Sequence, residues 1–87
     1  MIKQFDEAHT LSNRWLESQY GQTDPYTYQD FRLAVQDRLQ DYGLTADADA
    51  VDKTMSQICQ LIIAGRADTL DMALGDIVDE MAERTVA

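Results

Sequence analysis

The 87-residue chain carries sixteen acidic and seven basic residues, a formal net charge of −9, and 45% of its residues are apolar. This charge argues against binding to a nucleic-acid backbone or to an anionic membrane, both of which need clustered Lys and Arg, and the apolar content is too high for a disordered chain. The length predicts one domain over residues 1–87. Cys59 is the only cysteine, which excludes an intrachain disulfide, and the first ten residues show no apolar leader, so we expect a cytoplasmic protein.

The first predicted helix runs from about Ile2 to Tyr20. Gly21 follows it, where a left-handed residue commonly ends a helix. Its apolar residues recur at intervals of three and four and therefore share one stripe. They are Ile2, Phe5, Ala8, Leu11, Trp15 and Leu16.

The second predicted helix has two possible starts. Asp24-Pro25 is a turn or helix-start signal, and Thr27 with Asp30 resembles a capping box. Its end is predicted at Gly43, with Leu44 packing back on the last turn. The predicted buried face comprises Tyr28, Phe31, Ala34, Val35, Leu39 and Tyr42.

The third predicted helix ends at Gly65 and is apolar on almost every side over Cys59–Ile63. A helix of this kind is surrounded by protein, which predicts either the centre of the core or a dimer seam. Its stripe is Ala48, Val51, Met55, Ile58 and Ile62.

The fourth predicted helix begins near Asp68 or Thr69. Gly75 interrupts its pattern and marks either a close helix contact or a bend. Its stripe is Leu70, Leu74, Ile77, Val78 and Met81. Because no segment alternates like a strand, we predict an all-α fold, a compact bundle of about four short amphipathic helices.

The stretch TADADAVDK, Thr45 to Lys53, has the alternating acids of a cation loop. A calcium loop that begins at Asp47 needs an oxygen ligand at position five, glycine at six and an acid at twelve. Those positions hold Val51, Asp52 and Ile58. The stretch is instead typical of a helix start, where acids accept hydrogen bonds from free amides and complement the helix dipole.

Other chemistry finds little support in the sequence. Asp6 and His9 share a helix face, but the chain has one histidine and offers no full metal-ligand set. Cys59 lies among apolar residues, which favours a core thiol over a nucleophile. The chain has no phosphate-binding loop and no hydrolase motif. We therefore predict a non-enzymatic protein without metal or cofactor.

The surface residues give a clearer indication of function than the candidate chemical groups do. Ten acids and three bases lie in residues 41–87, so this half carries −7. Its acids could form one negative surface that steers a basic partner. Met72 and Val86 lie off the buried stripe of the fourth helix. Leu33 and Tyr26 lie off the buried stripe of the second and could anchor a protein interface as exposed apolar side chains. The predicted partner-binding acids are Asp47, Asp49, Asp52, Asp76, Asp79, Glu80 and Glu83.

These patterns predict a small acidic interaction protein that regulates or inhibits a partner protein with a basic surface. A sharper alternative is a nucleic-acid mimic, of the phage or mobile-element type, that inhibits a nucleic-acid-binding protein. A second alternative is a homodimeric structural or assembly protein joined through Cys59–Ile63. Direct binding to nucleic acid or membrane is not expected. The expectation that the protein comes from a bacterium or phage rests only on its likeness in size, charge and helical build to the small inhibitors common there.

Overall fold

The computed structural model describes residues 2–23 and 26–86, without the side chains of Thr85 and Val86. Within this part of the chain the predicted all-α fold of four helices is confirmed. The helices are α1 (Gln4–Tyr20), α2 (Tyr28–Asp41), α3 (Ala48–Ile63) and α4 (Leu70–Val86).

Local capping signals account for the helix ends. The Thr27 side chain accepts a hydrogen bond from the Asp30 amide at 3.1 Å and so begins α2, whereas the alternative start at Asp24-Pro25 lies outside the described residues. At the other end Gly43 has φ 71°, and the Leu44 amide donates to the Leu39 carbonyl at 2.9 Å. This is the predicted Schellman ending, which needs a left-handed residue.

Helix α3 lies at the centre and contacts each of the other three helices. It runs antiparallel to α2, because Gln36 donates to the Ala46 carbonyl while Arg32 pairs with Asp52. Helix α4 packs on another side of α3, where Thr54 meets Met81. The largest fully buried side chains are those of Phe31, Leu39, Met55, Ile58 and Leu70.

Helix α1 packs chiefly against α3 and also contacts the beginnings of α2 and α4. Its beginning contacts the beginning of α2, with the Phe5 ring centroid 5.2 Å from that of Tyr28. Its middle contacts the beginning of α4, where the fully buried Ser12 hydroxyl accepts a hydrogen bond from the Leu70 amide at 3.3 Å. The first amides of a helix have no partner within it, so Ser12 satisfies one of them inside the core.

Several predicted core positions need correction. Trp15 and Leu16 are only half-buried, because the fully buried face of α1 ends at Ser12. Ala48 is exposed in the first turn of α3. Tyr42 is 45% exposed, because it is the residue at which α2 ends and its ring turns away from the buried face.

Gly75 does not mark a close helix contact, because a Cβ added there would have no heavy atom within 4 Å apart from those of its chain neighbours and of the adjoining backbone of α4. Glycine is unfavourable inside a helix, chiefly through the entropy of the unfolded chain. We therefore expect Gly75→Ala to raise the free energy of unfolding by about 0.5–1 kcal/mol. Urea unfolding followed by circular dichroism measures this, and a destabilised variant would show that the glycine has a role in packing.

Candidate functional site

The strongest surface feature is the acidic band on the outer face of α4, which we define as Asp76, Asp79, Glu80 and Glu83. All four residues are exposed, as predicted. Met72, which is 48% exposed, precedes Asp76 by one turn on the same face. The band is therefore a row of carboxylates with an apolar side chain at its beginning.

The four carboxylates differ in their contacts. Asp79 accepts a hydrogen bond from the Tyr42 hydroxyl at 2.8 Å, and Glu80 forms an ion pair with Arg84 one turn later. The carboxylates of Asp76 and Glu83 make no hydrogen bond or ion pair with another described residue. These two carboxylates can take a new cation without giving up an existing contact.

The three aspartates at the start of α3 do not act together. Asp47 is the helix cap, since its carboxylate accepts from the Ala50 amide at 2.8 Å, which confirms the helix-start interpretation of TADADAVDK. Asp52 forms an ion pair with Arg32 of α2 and so faces away from α4. The exposed Asp49 lies in the first turn of α3.

Two shallow surface pockets between α3 and α4 share Met81 as a lining residue. Asp47 and Asp49 line the first pocket, and Glu80 of the acidic band lines the second. Lys53 also lines the first pocket and offsets part of its negative charge. Of the three aspartates, two therefore approach the band and Asp52 does not.

The two predicted apolar anchors have different positions. Tyr26 lies outside α2 and is half-buried, with its ring centroid 5.3 Å from that of Phe31 and its hydroxyl donating to Asp71 at 2.8 Å. An outer-face position was expected only if Tyr26 were helical; it precedes α2, and packing and this hydrogen bond hold it against α4. Leu33 is 57% exposed on that outer face, as predicted, and its partner-binding role stays a prediction.

Tyr42 is the surface residue that sequence reasoning missed. Helical periodicity placed it on the buried face of α2, but it ends the helix and reaches α4 instead. Its hydrogen bond to Asp79 raises the pKa of Tyr42, and the charge of that carboxylate adds to the effect. The position of Tyr42 immediately before Gly43 is the signal that could have placed it outside the helical face. Met72 was predicted to lie off the buried stripe and does, whereas the Val86 side chain lies outside the described residues.

Of the remaining chemical groups, Cys59 lies in the core and His9 is half-buried beside it. Cys59 is fully buried, and burial raises the pKa of its thiol to about 11. The His9 ring stacks on Phe5, with centroids 5.3 Å apart. In the described part of the chain, no three His, Cys, Asp or Glu side chains are grouped to hold a metal ion.

The buried thiol of Cys59 should react slowly in the folded protein. A pKa of about 11 leaves roughly a hundredfold less thiolate near pH 8 than an ordinary thiol has. We expect its reaction with DTNB to be at least about 100-fold slower in the native protein than in guanidinium. Equal rates would show that the α3 core opens freely.

Over the residues that the structure describes, no helix has both the length and the apolarity to cross a membrane. No protein-family model, curated protein or solved structure matches the chain.

Proposed function

We propose that this protein binds the basic surface of a partner protein through the acidic band of α4 and so regulates or inhibits that partner in the cytoplasm. The observation that carries the proposal is the exposure of four carboxylates in a row, two of which have no hydrogen bond or ion pair with another described residue. Rows of one charge sign raise the rate at which an oppositely charged partner approaches.

The band also has apolar groups beside it. Met72 lies on the same face, and the exposed ring of Tyr42 is held at its edge through the bond to Asp79. Tyr and Met are enriched at protein interfaces relative to other surfaces. Charge would steer the encounter, and these two side chains would supply the desolvated contact that slows dissociation.

Reversing the charge of two band residues tests the proposal, and a control variant changes the net charge by the same amount elsewhere on the surface. Asp76→Lys with Glu83→Lys breaks no side-chain hydrogen bond or ion pair between described residues. Glu17→Lys with Asp37→Lys makes the same change in net charge on α1 and α2, near helix ends where lysine suits the dipole. We expect the native protein and the control to retain the same partner from a lysate of the source organism, and the α4 variant to lose it.

The outcome is read as the abundance of each retained protein, measured by mass spectrometry. A partner retained equally by the α4 variant and the control would remove the acidic band from the site. A partner lost equally from both would show that net charge alone governs the association.

The nucleic-acid mimic is a narrower form of the same proposal. It is favoured by the arrangement of Asp76, Asp79 and Glu83 along one helix face, which spaces negative charge regularly as a phosphate backbone does. In that case the retained partner binds duplex DNA or RNA, and excess nucleic acid displaces it from this protein. A partner that is not displaced supports the broader function only.

A further inference from the structure

Three shallow pockets follow one another along the line where α3 meets α4. The two helices run antiparallel, because Thr54 contacts Met81 while Leu61, further along α3, shares a pocket with the earlier Ile77. The middle pocket shares Met81 with the first and Ile77 with the third, and Gln57 lines all three. We define the α3–α4 face as the surface that these pockets form. In the part of the chain that the structure describes, no residue of α1 or α2 lines them.

The α3–α4 face has an apolar middle. Leu61, Ile77 and Met81 are half-buried, and each packs against the core while it also lines a pocket. Ile77 and Met81 lie one turn apart on α4, and Leu61 lies across from Ile77 on α3. Apolar contacts at intervals of one turn are those that an amphipathic helix makes when it binds in a groove.

The charge of this face changes from one end to the other. Two aspartates, Asp47 and Asp49, and one lysine line the pocket at the start of α3. The middle pocket holds the ion pair of Glu80 with Arg84 and is neutral. Among the described residues, Arg66 is the one charged group that lines the pocket at the end of α3. The side chains of Asp49 and Arg66 make no hydrogen bond or ion pair with another described residue, so each can pair with an opposite charge.

We propose that the α3–α4 face binds one amphipathic helix of the basic partner. The apolar side chains of that helix contact Leu61, Ile77 and Met81, and a Lys or Arg near one of its ends pairs with Asp49. An acid near its other end meets Arg66, so the charges of this face determine the direction of the bound helix as well. The inference rests on the proposed function, because it names the segment of the basic partner, and Glu80 belongs both to this face and to the acidic band.

A helix fits this face better than an extended segment does. An extended peptide binds by pairing its backbone with a free sheet edge, whereas side chains of two helices surround these pockets. A helix satisfies its own backbone groups and packs its side chains between those of α3 and α4. Since α3 rises about 22 Å between Asp49 and Ala64, a partner helix of about fifteen residues covers the face.

A designed peptide of about fifteen residues tests the inference. It carries leucine at every third or fourth position, glutamates in its first turn and lysines in its last turn, an order that also stabilises the free helix. Titrated into isotope-labelled protein, it should shift the amide signals of Gln57, Leu61 and Ile77 with a dissociation constant below about 1 mM. A nitroxide on its last residue should broaden the signal of Asp49 more than that of Arg66.

A control peptide and two pairs of variants give the specificity. A peptide of the same composition, with its leucines spread around the helix, should bind at least about tenfold more weakly. Ile77→Ala should raise the dissociation constant at least about fivefold, and Leu33→Ala on α2 should leave it unchanged. Asp49→Asn should raise it at least about threefold, and Asp37→Asn, an equal change of charge on α2, should have less effect. Circular dichroism should show the same helix in every variant.

Three results would overturn the inference: no shift of these amide signals, equal binding of the two peptides, or equal effects of Ile77→Ala and Leu33→Ala. Shifts of the same signals with the concentration of the protein alone would show that a second copy covers the face, which also overturns it.

The proposed function fails or holds separately, because Asp76 and Glu83 do not line these pockets. A lysate partner that needs these two acids but is retained by Ile77→Ala keeps the proposed function and contradicts the bound helix. A peptide that binds the face as described, with a lysate partner that does not need the two acids, does the reverse.

Discussion

Replacing Phe31 by alanine is expected to lower the free energy of unfolding by about 3–5 kcal/mol. Phe31 is fully buried in α2, and its ring packs against those of Phe5 and Tyr26, with centroids 6.1 and 5.3 Å away. The substitution leaves a cavity where α1, α2 and the segment before α2 meet. Since a domain of this size has a stability of roughly 5–10 kcal/mol, much of the variant should unfold on mild heating.

A matched control lies two residues along the same helix. Leu33→Ala removes an apolar side chain that is 57% exposed and should change the stability by no more than about 0.5 kcal/mol. Urea unfolding of both variants, followed by circular dichroism, measures the difference. Similar midpoints for the two would show that Phe31 does not lie at the centre of the core.

Replacing Ser12 by alanine is expected to cost about 1–3 kcal/mol, because the Leu70 amide loses its acceptor in a place that water does not reach. The cost should be local, at the junction of α1 with the start of α4. Hydrogen exchange at the Leu70 amide should therefore accelerate more than exchange in the middle of α3.

Ser18 provides the control for this second substitution. It lies in the same helix and its hydroxyl donates to the Trp15 carbonyl at 2.8 Å, but it is exposed. Water replaces that contact, so Ser18→Ala should be almost neutral. If Ser12→Ala is equally neutral and leaves exchange at Leu70 unchanged, the contact between α1 and α4 does not need the hydroxyl.

The helix boundaries were predictable because they depend on neighbouring residues. Thr27 and Asp47 each accept from an amide three residues on, and Gly43 supplies a left-handed turn. These signals extend over one turn of chain and are visible in the sequence. The all-α fold followed from them together with apolar residues at helical spacing.

The contacts between helices were not predictable in the same way. The buried hydroxyl of Ser12 meets an amide 58 residues away, and Tyr26 meets a carboxylate 45 residues away. Periodicity treats a serine as polar and a helix-flanking tyrosine as exposed, because it contains no information about the partner. The half-burial of Trp15 was missed for the same reason, since periodicity does not show where neighbouring helices end.

The candidate site was predictable in part. The exposure of Asp76 and Glu83 follows from their position opposite the apolar stripe of α4. Asp52 was grouped with the other aspartates because it is close to them in sequence, but on α3 it points toward Arg32. On a helix, residues that lie only a few positions apart in sequence can project from different faces.

The association rate between this protein and its retained partner, measured by stopped flow at two ionic strengths, tests the central claim most directly. The claim predicts that the native rate falls about tenfold or more between roughly 0.01 and 0.15 M salt. It also predicts that Asp76→Lys with Glu83→Lys slows association at low salt more than Glu17→Lys with Asp37→Lys. A native rate that is independent of salt, with equal rates for the two charge-reversed variants, would contradict an interface at the acidic band.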